Sequence, residues 1–170
     1  KFISKKRMFE MMLDGKPLTV LVRTNNVIKE IEKQALKKKI PMRYFNLITK
    51  TDLKNIKKYK ITDALKKKLN DVLPYFMSNL EFIEFIESNS DSDVFVTSIH
   101  KSKGREFPRS IVINSADPEM IINYGSMTHD LSEYSFLTED GDIDEESRNI
   151  HYVAVTRPKE ELYFMIFDEI

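Results

Sequence analysis

The chain has 170 residues, 41% of them apolar and 32% charged, and its 27 cations balance its 27 anions. This composition fits one globular domain, large enough to bury about two-thirds of its unfolded surface. With no cysteine, three histidines and four scattered glycines, it excludes a disulfide scaffold, a thiol nucleophile, an H-E-x-x-H metal site, a G-x-G-x-x-G turn and a phosphate-binding P-loop.

Apolar spacing predicts a helix over Phe2 to Leu13, stopped at Asp14-Gly15. Leu18 to Val22 is a β-branched apolar run and reads as a buried strand. Thr24-Asn25-Asn26 offers a cap, and helical spacing from Val27 runs to Lys39, ahead of Pro41. Met42 to Ile48 reads as a second strand, making a strand–helix–strand unit with parallel pairing. Helices are predicted over Thr51 to Lys58, Thr62 to Leu73 and Tyr75 to Ile86. Strands follow at Val94 to Ile99 and Ser110 to Ile113. Asp117 to Leu137 reads as irregular or weakly helical, and Glu139 to Asp142 as a turn. A helix over Asp144 to Thr156 has an acidic first turn that suits its macrodipole. Arg157-Pro158 ends it, and Leu162 to Phe167 is a last strand. The sum is an α/β domain with a mostly parallel sheet of about five strands.

Charge is unevenly spread. Lysines crowd Lys29 to Lys68, and the stretch from Asp130 to Glu146 is acidic. The basic block reads either as the solvated faces of helices or as a nucleic-acid contact. No apolar run approaches the ~20 residues that span a bilayer, so no membrane partner is expected. A chain beginning at Lys1 reads as a piece of a longer protein, and its composition as cytoplasmic.

Three segments concentrate chemistry. The first is Ser98-Ile99-His100-Lys101-Ser102-Lys103-Gly104-Arg105-Glu106-Phe107, a buried strand delivering into a cationic loop with one glycine. Lysine and arginine suit phosphates, Glu106 suits ribose hydroxyls, and Gly104 permits close backbone approach. The second runs from Glu145 to Arg157. There Arg148, Tyr152 and Val155 share a helical face that reads partly as core, and Arg157 stands rigidly before Pro158. A fixed guanidinium suits a phosphoryl transition state, or else the last carbonyls of its own helix. The third is Val20 to Asn25, a strand ending in Arg23. The two arginines and the Lys-Gly loop read as one edge for an anionic ligand.

Ser98 to Phe107 resembles motif V of superfamily 1 helicases of the UvrD type, and Glu145 to Arg157 resembles their motif VI. Leu21 to Glu32 is similar to motif IV, an arginine followed by a helix. The resemblance covers positions 20 to 159. It implies the C-terminal of two RecA-like motor domains, a three-layer α/β fold with a helical insert at about 49–90 in place of a full 2B domain. ATP and Mg2+ would be held mainly by the N-terminal RecA-like domain of the same protein. This chain would send Arg23 and Arg157 to the γ-phosphate. Lys103, Gly104 and Glu106 would face the nucleotide, and Ser98, His100 and Lys101 would face single-stranded DNA. Tyr152 is expected to pack its helix.

Departures from the family pattern are Ser98 for threonine, Val22 for the tyrosine that stacks on adenine, and Pro158 for alanine. Leu162 to Phe167 followed by Asp168-Glu169 mimics a Walker B strand, and without a P-loop reads as a terminal strand with a solvated acidic end. The acidic set Asp140, Asp142, Asp144, Glu145 and Glu146 misses the calcium-loop spacing and reads as a charged helix start. A second reading of the whole chain is a non-catalytic nucleotide-sensing or protein-docking module on the same fold.

Overall fold

The computed structural model describes residues 1–114 and 145–166. The expected irregular stretch, the acidic turn and the Asp168-Glu169 end lie outside the described residues.

Helix α1 spans Lys5–Met12, strand β1 Leu18–Val22 and helix α2 Asn25–Lys37. Helices α3 (Lys50–Lys57), α4 (Asp63–Leu69) and α5 (Asn79–Ser88) follow. Then come β2 (Val94–Ser98), β3 (Phe107–Asn114), α6 (Glu145–Val155) and β4 (Pro158–Ile166). The sheet order is β2-β1-β3-β4 with every pairing parallel. This is the α/β arrangement of a RecA-like domain, with four strands where about five were expected.

All five residues of β1 are buried, as in a strand with both faces covered. Its side chains alternate between two cores. Val20 and Val22 join residues of α1 to α5, including Met8, Ile28, Ile56, Leu69 and Phe82. Leu21 joins Ile99, Phe107, Val112 and Ala154 on the opposite face, with Ile150 and Val153 of α6 against them. The helices between 50 and 88 therefore share the main core with the sheet. Local capping starts several of them. Ser4, Thr62 and Ser78 accept backbone N–H bonds at three helix starts, and Thr49 and Asp52 form a reciprocal capping box. Thr24 occupies the N-cap of α2 without a side-chain bond.

Three expectations are corrected. Met42 to Ile48 is not a strand; it contributes a single parallel bridge, Arg43 beside Phe95 of β2. The reason is a buried carboxylate. Glu32 on α2 accepts from the backbone N–H groups of Asn46 and Leu47 and from the Asn46 amide, which takes those donors away from any ladder. The first helix begins at Lys5, and Phe2 instead bridges Phe164 at the far edge. Tyr152 does not pack its helix: it is 67% exposed, because α6 buries the face carrying Ile150, Val153 and Ala154.

Candidate functional site: two edges of one sheet

Parallel strands put all their carboxyl ends on one edge and all their amino ends on the other. Arg23 follows β1 and His100 follows β2 on the C-terminal edge. There Val22 pairs with Ser98, and the Ile99 N–H donates to the Val22 carbonyl at 2.9 Å. Glu106 precedes β3 and Arg157 precedes β4 on the N-terminal edge. There the Phe107 N–H donates to the Arg157 carbonyl at 2.9 Å. Val22 pairs with Ile113 and Pro158 with Phe107. Those two positions of β3 are six residues apart, ~20 Å at about 3.3 Å per residue. The structure thus brings the expected site residues together as two groups. Arg23 and Arg157 leave the backbone at opposite edges of the sheet.

Residues 99–106 join the edges directly. A parallel crossover usually takes a dozen or more residues. Eight suffice here because an extended chain of that length reaches about 26 Å. The segment opens with a 3-10 turn, His100–Ser102. Ser98 is buried, and its Oγ accepts from the Lys101 N–H at 3.2 Å. The buried Ser102 hydroxyl donates to the Ile99 carbonyl at 2.6 Å. The Arg105 N–H closes back on the Ser102 carbonyl at 2.9 Å. Gly104 has φ +78, and a Cβ there would meet no atom within 4 Å. Its left-handed backbone, rather than crowding, is what selects glycine. His100, Lys101, Lys103 and Glu106 are exposed along this path.

The Arg157 guanidinium is held in place. Its Nε donates to the Val153 carbonyl at 2.9 Å, Nη1 to the Arg105 carbonyl at 3.3 Å and Nη2 to Thr156 Oγ1 at 3.0 Å. It therefore caps the end of α6 and clamps the glycine loop at once. Three of its five N–H groups account for these bonds, leaving two for a ligand. Glu106 pairs with Lys159 at 2.5 Å. That ammonium, with Arg157 as a smaller contributor, holds the Glu106 carboxyl below its usual range. Sequence reading missed Lys159 and Ser102. Lys159 was legible only through the β3–β4 register, which puts its strand beside Glu106. Ser102 carries no signal beyond lying within motif V. Among the described residues, no group of three or more His, Asp or Glu side chains is placed to hold a metal ion.

A parallel sheet with a short cationic crossover, and an arginine clamped at the end of the last helix, defines a RecA-like motor-type domain. The chain belongs to the UvrD-like helicase C-terminal domain family, whose model matches residues 47–169. It is also 32% identical over 114 residues to a protein of Bacillus subtilis (strain 168) named "Putative ATP-dependent DNA helicase YjcD". That match covers 66% of this chain and 13% of the relative.

Proposed function

We propose that the chain is the second motor half of an ATP-dependent DNA helicase, with one ligand on each edge of its sheet. The observation that carries this reading is the clamped Arg157. A guanidinium fixed by three internal acceptors, with two N–H groups to spare, suits a phosphoryl group that gains charge in the transition state. Bound ATP supplies that group. Arg157 donates to it, Lys103 adds positive charge nearby, and the Gly104 turn presents backbone to the phosphates. Glu106, kept ionised by Lys159, accepts from ribose hydroxyls. Mg2+, like most of the nucleotide, would be held by the P-loop-bearing half of the protein.

The opposite edge serves the single strand. His100 and Lys101 are exposed there and meet sugar and phosphate. Ser98 acts from beneath, its hydroxyl holding the turn that displays them. Arg23 belongs to this edge by position, ~20 Å from Arg157 along the strands. Residues 99–106 connect the edges, so a shift at one pulls on the other.

The sequence has no P-loop lysine, so the chain alone does not turn over ATP. The test pairs it with its P-loop-bearing half. Arg157→Lys and Arg157→Ala are compared with the parent for ATP turnover and nucleotide affinity. Loss of turnover with retained affinity supports the reading, and turnover unchanged in both variants refutes it.

A further inference from the structure

Beside the outer edge of β2 lies a groove of about 660 Å³ that belongs to neither edge of the proposed motor site. It is walled by the Arg43–Phe45 segment, by α3 and by the end of α5. We propose that this groove binds a stretch of single-stranded nucleic acid, a base on Phe45 and successive phosphates on Lys50 and Lys54.

The floor is an aromatic platform. The Arg43 N–H bonds the Val94 carbonyl at 2.9 Å, which fixes this segment to the sheet. The Arg43 guanidinium lies over the Phe95 ring at 4.3 Å, and Phe45 stands beside the same ring with centroids 6.2 Å apart. Phe45 is nevertheless 47% exposed. An apolar ring held in place by its neighbours and left half open is a stacking surface. Arg43 Nε is buried with no partner among the described residues.

One wall is charged. Lys50, Lys54 and Lys57 line the groove from one face of α3. Lys57 is neutralised across the groove by Glu87 at 2.6 Å. Among the described residues, no carboxylate pairs Lys50, Lys54 or Arg43. The groove is therefore net positive, and its open cations complement a polyanion. Lys50 and Lys54 sit about one helical turn, ~6 Å, apart, comparable to the step between neighbouring phosphates of a single strand. An acidic peptide would satisfy the charges. The paired guanidinium–aromatic platform next to two ammoniums a helical turn apart favours nucleotides.

The lysine block seen in the sequence is thereby sorted. Lys57, Lys66 and Lys68 pair with Glu87, Asp63 and Asp52, whereas Lys50 and Lys54 face the groove.

The test uses the 170-residue chain and a fluorescein-labelled oligo-dT of about 15 nucleotides, followed by anisotropy over a salt series. Phe45→Ala weakens binding roughly 5- to 100-fold, and Phe45→Tyr, which keeps the ring, binds like the parent. Reversing Lys50 and Lys54 to glutamate flattens the slope of log K against log salt by about 1.4. Reversing Lys66 and Lys67, outside the groove, leaves affinity within a factor of two of the parent, allowing about 0.4 kcal/mol. Parent-like binding by Phe45→Ala together with the Lys50/Lys54 variant overturns the proposal. So does an equal loss from the Lys66/Lys67 control, or displacement of the oligonucleotide by a poly-glutamate peptide at matched charge. The proposal rests on a single strand being the partner. His100→Ala tests that reading separately, since loss there with no loss in the groove variants removes only the groove.

Discussion

Arg109 forks onto Asp14, Nη1 donating to one carboxylate oxygen at 2.6 Å and Nη2 to the other at 2.8 Å. The same guanidinium reaches the carbonyls of Met11, Lys16 and Pro17. Arg109 is buried within β3, so it ties the α1–β1 corner to the strand that Glu106 introduces. A buried charge survives because its guanidinium donates to a carboxylate and three carbonyls.

Removing that fork is costly. Arg109→Met leaves Asp14 and three carbonyls without their donor, and about 3 kcal/mol of stability is lost. The pH dependence has a definite sign. The Arg109 bond holds the Asp14 carboxyl at about 2, below its usual 3.8. A depressed carboxylate contributes stability that is present above 3.8 and is lost as pH falls through about 2. Allowing for partial exposure of Asp14, the contribution is about 1–2 kcal/mol. Urea melts of the parent and Asp14→Asn between pH 2 and pH 5 check this. The difference between them closes at the acid end.

Glu32 behaves in the opposite way. It is fully buried, and burial pushes its carboxyl up to about 7 against the pull of Asn46 and Leu47. A raised acid contributes stability that is complete below its unfolded value of 4.5 and is lost as pH climbs through about 7. The loss is on the order of 2–3 kcal/mol. Both carboxylate oxygens accept N–H bonds, and an amide can offer only one acceptor. Glu32→Gln therefore costs about 1–3 kcal/mol and removes the slope between pH 5 and pH 8. Melting curves at those two pH values separate the effects.

The same residue explains where sequence reasoning stopped. Met42 to Ile48 has strand-like side chains, but a strand needs its N–H groups, and Glu32 lies 14 residues upstream of Asn46 on a helix. No local pattern reports that contact. β1, β2 and the end of α6 were legible because a buried parallel strand and a helix stop are local signals. Tyr152 was misread because periodicity groups residues onto a common helical face without saying which face meets the sheet. Arg109 sits between Pro108 and Ser110 with nothing to mark it, since its partner is 95 residues away. The two-edge arrangement needs the strand register. Arg23 ends a strand and Arg157 begins one, and only parallel pairing turns that difference into ~20 Å.

Clamping by Arg157 separates a structural effect from a chemical one. Arg157→Ala removes a donor from the Val153 and Arg105 carbonyls, of which the first still accepts from the Thr156 hydroxyl, so melting shifts by no more than about 1 kcal/mol. In a helicase assembled with its P-loop half, turnover falls by roughly 10²–10⁵, the range for a phosphoryl-stabilising arginine. Glu106→Gln keeps Arg157 in place and weakens only ribose contact, so nucleotide affinity drops while the turnover of bound ATP holds. Equal loss of affinity and turnover in both variants points instead to a collapsed loop.

The separation of the edges makes a final, directional prediction. His100 and Arg23 lie on the C-terminal edge, whereas Glu106 and Arg157 lie on the N-terminal edge. Substituting His100 or Arg23 by alanine should lower affinity for a single strand and leave nucleotide affinity, measured without DNA, within about twofold of the parent. Glu106→Gln should do the reverse. Residues 99–106 join the two edges, so they are expected to carry the coupling. Gly104→Ala forces an L side chain into a left-handed backbone at φ +78, which costs about 1 kcal/mol or more locally. Open space around that position means the strain is relieved by shifting the turn rather than by a clash in the core. Each ligand then still binds on its own, but stimulation of ATP turnover by the single strand is reduced. Titrating each ligand in the absence and presence of the other measures this as a coupling free energy. Undiminished stimulation in Gly104→Ala would show that the edges communicate by another path, through α6 or the sheet itself.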